Sequence, residues 1–224
     1  MSIQQELNSF LADVIAKRGL QFDECGIRHT HNKVDLSAPV PPFKFNLCTP
    51  AQRQEGRLTE ADMDRVAEFI GHGLLKLRPL PGAIAGIPNV GADIAHRVEM
   101  YLRREGCYLP RMRLVKRESG FVIVDNANYK SGPVCAIDDL IHMGLNKRRF
   151  MAALEAAGYQ VTDCWVFLTY EQGGEEYFDK LGTAVHAVST VRSTLELGHE
   201  VGSITHDRYH SAMRYLEGTR TAVI

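Results

Sequence analysis

Apolar residues recur along this chain in two patterns, short continuous runs and stripes at helical spacing. The runs predict buried strands at residues 83–87, 121–124, 134–137, 161–169 and 184–189. The stripes predict six helices. The first covers residues 3–18, the second runs from Thr59 to a residue before Pro79, and the third begins after Gly91. The fourth runs from about Asn146 to Gly158, the fifth ends at Leu181, and the sixth begins after Thr205. Runs and stripes alternate along most of the chain, and this order is typical of an α/β fold.

The N-terminal part departs from this alternation. Ser2 and Gln5 form a capping-box pattern that starts the first helix, and Gly19 is a stop signal. No helical period is present from Leu20 to Pro50, which predicts only short extended pieces around Lys33–Leu36 and Phe43–Leu47. Long irregular segments in compact chains are usually functional, so we expect this one to cover a site.

Composition narrows the possible classes of protein. The 224 residues include 26 basic and 27 acidic side chains, a net charge of −1 that predicts neither a nucleic-acid partner nor a membrane surface. No apolar run is long enough to span a membrane, and the first residues lack a signal-peptide pattern. The five scattered cysteines form no paired motif, so they predict reduced thiols and a cytoplasmic location.

Two adjacent carboxylates stand out, because Asp138 and Asp139 follow the apolar run Val134–Ile137 and precede a loop with Gly144. Ligands of open α/β sheets bind beyond the carboxyl ends of the strands. Two neighbouring negative charges at that place need hydroxyls, amides or a cation to satisfy them. The spacing alone is equally compatible with a surface Asp-Asp turn.

Two further segments are candidates for anion binding. Residues 83–87 and the turn through Gly91 form a strand–turn–helix unit of the phosphate-binding type, although any such turn can need glycine. Lys147, Arg148 and Arg149 begin a helix, where cations oppose the helix dipole. None has an acidic residue three or four positions later, so the cluster predicts either an anion at the helix start or a solvated basic patch.

The apolar strand, the two acids, two more apolar residues and the glycine-bearing loop resemble the ribose-phosphate signature of the type I phosphoribosyltransferases. This resemblance extends over nearly the whole chain. It implies a mostly parallel twisted sheet flanked by helices, with a small N-terminal hood. The implied organisation is an N-terminal helix and hood at residues 1–55 and a phosphoribosyltransferase-like α/β core at residues 56–224.

The resemblance also implies roles for individual residues. Asp138 and Asp139 would be the catalytic pair that holds the ribose hydroxyls of 5-phosphoribosyl 1-diphosphate. The loop after them would hold the 5-phosphate, and it consists of His142, Met143, Gly144, Leu145 and Asn146. Pyrophosphate would contact Asn89, Val90 and Gly91 and the cations Lys116 and Arg117. Mg²⁺ would be held mainly through the ligand, without a metal site formed by the protein alone.

Within that family the layout is closest to the orotate phosphoribosyltransferases. Pro41–Asn46 is similar to their hood, where Lys44 and Phe45 would border the base. Tyr170 stands where those enzymes have an arginine that grips the orotate carboxylate. The loop hydroxyls are missing here, and Ser119-Gly120 leads directly into a strand where the family has a long closing loop.

Two hypotheses about function follow from the resemblance. The first is a Mg²⁺-dependent enzyme of nucleotide metabolism that transfers ribose 5-phosphate from 5-phosphoribosyl 1-diphosphate to a nitrogenous base. The second is a weakly active or inactive homologue that binds a phosphoribosyl compound or nucleotide as a sensor. Both predict a small-molecule ligand, and the resemblance implies a homodimer. The sequence does not identify the base.

Overall fold

The structure is a computed structural model that describes residues 2–23, 26–27, 39–118 and 120–220. It divides into two compact units. The sheet unit contains residues 63–169 and 174–188, and the terminal unit contains residues 1–62, 170–173 and 189–224. This division differs from the predicted boundary after residue 55, because the C-terminal helices belong to the same unit as the N-terminal helix.

Six strands make up the main sheet: β3 (Ala83–Gly86), β4 (Arg111–Arg117), β5 (Gly120–Asp125), β6 (Gly132–Ile141), β7 (Tyr159–Thr169) and β8 (Ala184–Thr190). Their order in the sheet is β5-β4-β3-β6-β7-β8. β3 pairs in parallel with β4 and with β6, and β6 pairs in parallel with β7. The fourth pairing, between β4 and β5, is antiparallel. The α/β fold with a mostly parallel sheet is therefore confirmed.

Four helices are associated with this sheet: α2 (Glu60–Leu74), α3 (Val90–Arg104), α4 (Leu145–Ala156) and α5 (Gly174–Asp179). Thr59 starts α2 as predicted, because its hydroxyl accepts the Asp62 N–H while Asp62 accepts the Thr59 N–H. The apolar runs of the central strands supply the core, since one cluster joins side chains of β3, β6 and β7 to those of α4. The predicted strand at 134–137 is longer in the structure, because β6 continues to Ile141.

The terminal unit begins with α1 (Ile3–Phe10), which the Ser2–Gln5 capping box starts as predicted. Its continuation, Leu11–Gly19, is π-helical, and the Leu20 N–H donates to the Ile15 carbonyl five residues earlier. A two-stranded antiparallel sheet follows, formed by β1 (Leu20–Phe22) and β2 (Phe43–Phe45). The predicted extended piece at Lys33–Leu36 lies outside the described residues.

Two C-terminal helices complete the terminal unit, α6 (Val191–Glu200) and α7 (His206–Arg220). Only α7 is predicted from the sequence. The cap of α6 is Thr190, whose hydroxyl accepts the Ser193 N–H at 3.0 Å. Within the described ranges, no helix combines the length and apolar character that a membrane crossing requires. The described cysteines, Cys48, Cys107, Cys135 and Cys164, form no disulfide bond.

Candidate active site

Asp138 and Asp139 lie within β6, because the strand continues through Ile141 and does not end before the acids. The Asp138 carboxylate is buried, with 8% of the residue exposed, whereas Asp139 is half-buried. Asp138 Oδ1 accepts the Asp139 N–H at 3.0 Å, and Asp139 Oδ1 accepts the Leu140 N–H at 2.8 Å. The two acids therefore have different surroundings.

Lys147 forms a buried ion pair with Asp138. Its Nζ lies 2.6 Å from Asp138 Oδ2 and also donates to the Leu140 carbonyl, and only 5% of the residue is exposed. The expectation that Lys147 belongs to an anion site or a solvated basic patch is therefore wrong. Its partner is nine residues earlier in the sequence, where helical spacing does not reach. Only Arg148 and Arg149 of the predicted cluster are exposed.

Burial and neighbouring charges shift the pKa values of Lys147 and Asp139. For Lys147, burial by itself would lower the pKa, but the neighbouring charges, led by Asp138, outweigh it and raise the pKa. For Asp139, burial and then repulsion by Asp138 raise the pKa to about 7, while Lys147 opposes the shift. The Asp139 carboxyl therefore titrates near neutral pH, beside the ion pair of Lys147 and Asp138.

The raised pKa of Asp139 makes stability depend on pH. We expect the wild type to lose stability relative to Asp139→Asn as the pH rises from 3.8, the ordinary pKa of the carboxyl, to about 7. In this window the folded protein holds a proton that the unfolded chain has released, so a rising pH favours unfolding. The slope is at most ~1.4 kcal/mol per pH unit. Urea unfolding of both proteins across this range measures it, and a pH-independent difference would contradict the prediction.

The turn from β3 to α3 lies directly against Asp138. A Cβ on Gly91 would come within 2.7 Å of Asp138 Oδ1 and 2.6 Å of the Ile137 carbonyl oxygen, so only glycine fits this contact. The Pro88–Asn89 peptide bond is cis, Asn89 is exposed, and Val90 is buried. The structure therefore brings Asn89–Gly91 and the acids together at one end of adjacent parallel strands.

The loop between β6 and α4 turns at Gly144. Its φ of +76° is left-handed, and a Cβ there would come within 2.6 Å of the Phe178 ring. His142 is half-buried and Met143 is 44% exposed. The α4 backbone begins at Leu145, whereas the side chains of Leu145 and Asn146 lie outside the described residues. A left-handed residue before a helix start can turn successive N–H groups toward an anion, and the first turn of α4 has no acidic residue.

Lys116 and Arg117 lie on a projecting hairpin formed by β4 and β5. Ala85 of β3 pairs with Met112 of β4, so Arg113 lies beside Gly86, the last residue of β3. Arg117 is four residues further along β4, which places it roughly 13 Å beyond the level of Gly86 at the usual rise per strand residue. Both cations are exposed. Arg117 pairs with Gly120, which leaves only Glu118 and Ser119 to connect the strands. A long loop is therefore absent at this position, as the sequence predicts.

The residues expected to border the base belong to the terminal unit. Lys44 Nζ forms an ion pair with Glu55 at 3.2 Å. Phe45 and Tyr170 are both buried, and the Phe45 N–H donates to the Tyr170 hydroxyl at 3.4 Å. The Tyr170 ring also stacks on Phe43 at 6.0 Å between centroids. These contacts give Phe45 and Tyr170 a packing role within this unit.

No protein-family model matches this sequence. The orotate phosphoribosyltransferase of Nostoc sp. is 28% identical over 140 residues, which are 60% of this chain and 68% of that protein. The solved UMP synthase of Leishmania donovani superposes with a TM-score of 0.74 at 21% identity, over 97% of this chain and 43% of that one. This chain thus matches less than half the length of the UMP synthase.

A second structure, the orotate phosphoribosyltransferase of Aeropyrum pernix, has a TM-score of 0.60 at 18% identity, over 83% of this chain and 97% of that one. At such identities a structural likeness shows the fold, and the Nostoc relative adds likeness in sequence. The resemblance found in the sequence is therefore confirmed: the chain has the fold of the type I phosphoribosyltransferase family and is closest in layout to its orotate phosphoribosyltransferases.

Proposed function

We propose that this protein transfers ribose 5-phosphate from 5-phosphoribosyl 1-diphosphate to a nitrogenous base. The bond from ribose C1 to the pyrophosphate oxygen breaks, and a bond from C1 to a base nitrogen forms. The observation that carries the proposal is the contact of the Gly91 turn with Asp138. Because of this contact, a pyrophosphate-type turn and a ribose-type acid lie side by side, at the strand ends where α/β proteins bind ligands.

The proposed roles follow the chemical character of the residues. Asp139, with the more accessible carboxylate, accepts ribose hydroxyls, and Asp138 orients that part of β6. The backbone from His142 to Asn146 holds the 5-phosphate, with Arg148 nearby on the exposed face of α4. The Asn89–Gly91 turn, Lys116 and Arg117 hold the leaving pyrophosphate. Charge stabilisation of this kind is the main source of catalysis when a pyrophosphate leaves.

The donor groups fit Mg²⁺ only as a metal that enters with the ligand. Both oxygens of Asp138 already accept hydrogen bonds. Among the residues that the structure describes, no three histidine, cysteine or acidic side chains are grouped as metal ligands. Mg²⁺ commonly binds substrate phosphates and keeps several waters. The metal would therefore neutralise pyrophosphate, and Lys116, Arg117 and Asn89 would position that group.

The test is release of pyrophosphate from 5-phosphoribosyl 1-diphosphate in the presence of Mg²⁺ and a panel of purine, pyrimidine and pyridine bases. We expect release with at least one base and loss of most activity in Asp139→Asn. Arg149→Ala is the matched control, because this exposed cation has no proposed role. Binding of 5-phosphoribosyl 1-diphosphate without release for any base would exclude the enzyme.

The second candidate function is a sensor that binds a phosphoribosyl compound without efficient chemistry. The two-residue connection between β4 and β5 favours it, because this chain has no long loop there to cover the reacting atoms. The same panel separates the two functions, since a sensor gives calorimetric binding and no pyrophosphate. The homodimer that the resemblance implies and the cytoplasmic location that the cysteines predict also remain proposals. Light scattering tests the homodimer.

Orotate is expected to be a poor ligand. A carboxylate in a partly dry pocket needs a cation, and Tyr170 offers a buried neutral hydroxyl that already accepts a backbone hydrogen bond. An unpaired charge costs ~3–5 kcal/mol, which corresponds to at least about a hundredfold in affinity. Calorimetry with orotate and with uracil, which lacks the carboxylate, measures the difference. Tighter binding of orotate that survives Lys44→Ala would contradict this prediction.

A further inference from the structure

The cation at the acid pair is provided by the chain itself. Two neighbouring carboxylates and an incoming sugar phosphate repel one another, and proteins often relieve such repulsion with a divalent cation bound by carboxylate oxygens. Here the Lys147 ammonium already lies 2.6 Å from Asp138 Oδ2. A metal ion on that oxygen would have to share it with a buried positive charge.

Lys147 is held firmly in this position. It is 5% exposed, and a second hydrogen bond at 2.5 Å joins its Nζ to the Leu140 carbonyl. The other oxygen of Asp138 accepts the Asp139 N–H, and the backbone of Gly91 packs against the same oxygen. Both oxygens of Asp138 are thus engaged, which leaves Asp139 as the one carboxylate of the pair that is open to a metal.

We infer that Lys147 takes the place of a divalent cation at the Asp138–Asp139 pair, so that the unliganded protein binds no metal there and a sugar phosphate binds without one. The claim that a sugar phosphate binds without metal is the sugar-phosphate half of this inference, and it rests on the proposed function. The claim that the unliganded protein binds no metal at the pair is the metal half, and it does not rest on the proposed function. The ribose end is then independent of metal, and a metal serves only the pyrophosphate end. Lys147 is in this sense a positioning residue that acts through Asp138.

The first experiment uses Mn²⁺ as a probe, with free Mn²⁺ measured by electron paramagnetic resonance. Lys147→Met frees Asp138 Oδ2 beside the Asp139 carboxylate. The variant should bind Mn²⁺ at least about tenfold more tightly than the wild type, since carboxylate oxygens are the preferred ligands of such ions. The matched control is Arg149→Met, which removes an exposed cation two positions further along α4. This control should behave like the wild type, and Asp139→Asn in the Lys147→Met background should abolish the gain.

Equal Mn²⁺ affinity in the wild type and in Lys147→Met would overturn the inference. If Lys147→Met does not fold, the wild type and Asp139→Asn decide the question. Identical Mn²⁺ titrations of these two proteins support the inference that the acid pair binds no metal. Weaker Mn²⁺ binding by Asp139→Asn than by the wild type overturns the inference.

The second experiment titrates ribose 5-phosphate by calorimetry, once with Mg²⁺ and once with a chelator. We expect the affinity of the wild type for ribose 5-phosphate to differ by less than about threefold between the two conditions, because no metal bridges the acid pair and the ligand. A loss of about tenfold or more in the chelator overturns the inference and leaves the proposed function intact. If neither ribose 5-phosphate nor 5-phosphoribosyl 1-diphosphate binds, both the proposed function and the sugar-phosphate half of the inference are overturned. The metal half is then tested by the Mn²⁺ titration alone.

Discussion

Lys147→Met is expected to lower the free energy of unfolding by ~3–5 kcal/mol, the usual cost of removing one partner of a buried ion pair. The methionine fills a similar volume, but it leaves the Asp138 carboxylate buried with one hydrogen bond from the Asp139 N–H. The Leu140 carbonyl loses its bond to Nζ as well. Urea unfolding at neutral pH measures the change.

A double-mutant cycle separates this ion pair from general packing. Asp138→Asn alone should also destabilise, because it leaves the Lys147 charge buried without its counter-ion. Combined with Lys147→Met it should cost clearly less than the sum of the two single changes. Arg148→Met should stay within about 0.5 kcal/mol of the wild type, as exposed positions usually do. Strict additivity of the two single changes would show that the pair contributes no coupling energy.

Asp139→Asn is expected to weaken binding of ribose 5-phosphate by about ten- to a hundredfold. A carboxylate that accepts sugar hydroxyls forms charge-assisted hydrogen bonds worth ~1.5–3 kcal/mol, and an amide keeps the shape without the charge. The same change should raise stability at neutral pH, since it removes a carboxyl whose pKa is shifted to about 7. Calorimetry gives the affinity, and urea unfolding gives the stability.

Asp138→Asn provides the contrast, since both of its oxygens are already engaged within the protein. Asp138→Asn should reduce stability at neutral pH, whereas Asp139→Asn should raise it. The effect of Asp138→Asn on affinity should be smaller, provided that binding is measured where the variant is folded. If Asp138→Asn instead abolished binding while Asp139→Asn left it unchanged, the assignment of the ligand-facing acid to Asp139 would be reversed.

The fold could be predicted from the sequence because it depends on patterns that repeat locally. The apolar run at 134–137 and the glycine-bearing turns each fix a strand or a turn without knowledge of the rest of the chain. The end of β6 differs from the prediction, because its ladder with β7 persists past Asp138 and Asp139 to Ile141. The helix α6 was missed, since its cap Thr190 directly ends the preceding strand.

The candidate site could be predicted only in part, because its electrostatics depend on contacts between separate elements. The positions of the acids and of Gly91 were evident in the sequence. The pairing of Lys147 with Asp138 was not, since it joins a helix to a strand across a loop. One signal was available: three cations at a helix start are unfavourable unless one has a partner elsewhere. Likewise, no spacing rule indicates that Tyr170 is buried against Phe43.

The short hairpin between β4 and β5 has a consequence for the fate of the activated sugar. With two residues between the strands, this chain has no long segment there to exclude water while the bond from C1 to pyrophosphate breaks. Under the proposed chemistry, water then competes with the base for C1, and free ribose 5-phosphate forms beside the nucleotide. The yield of nucleotide would depend on how fully the base occupies its site, so that a shortage of base wastes the donor.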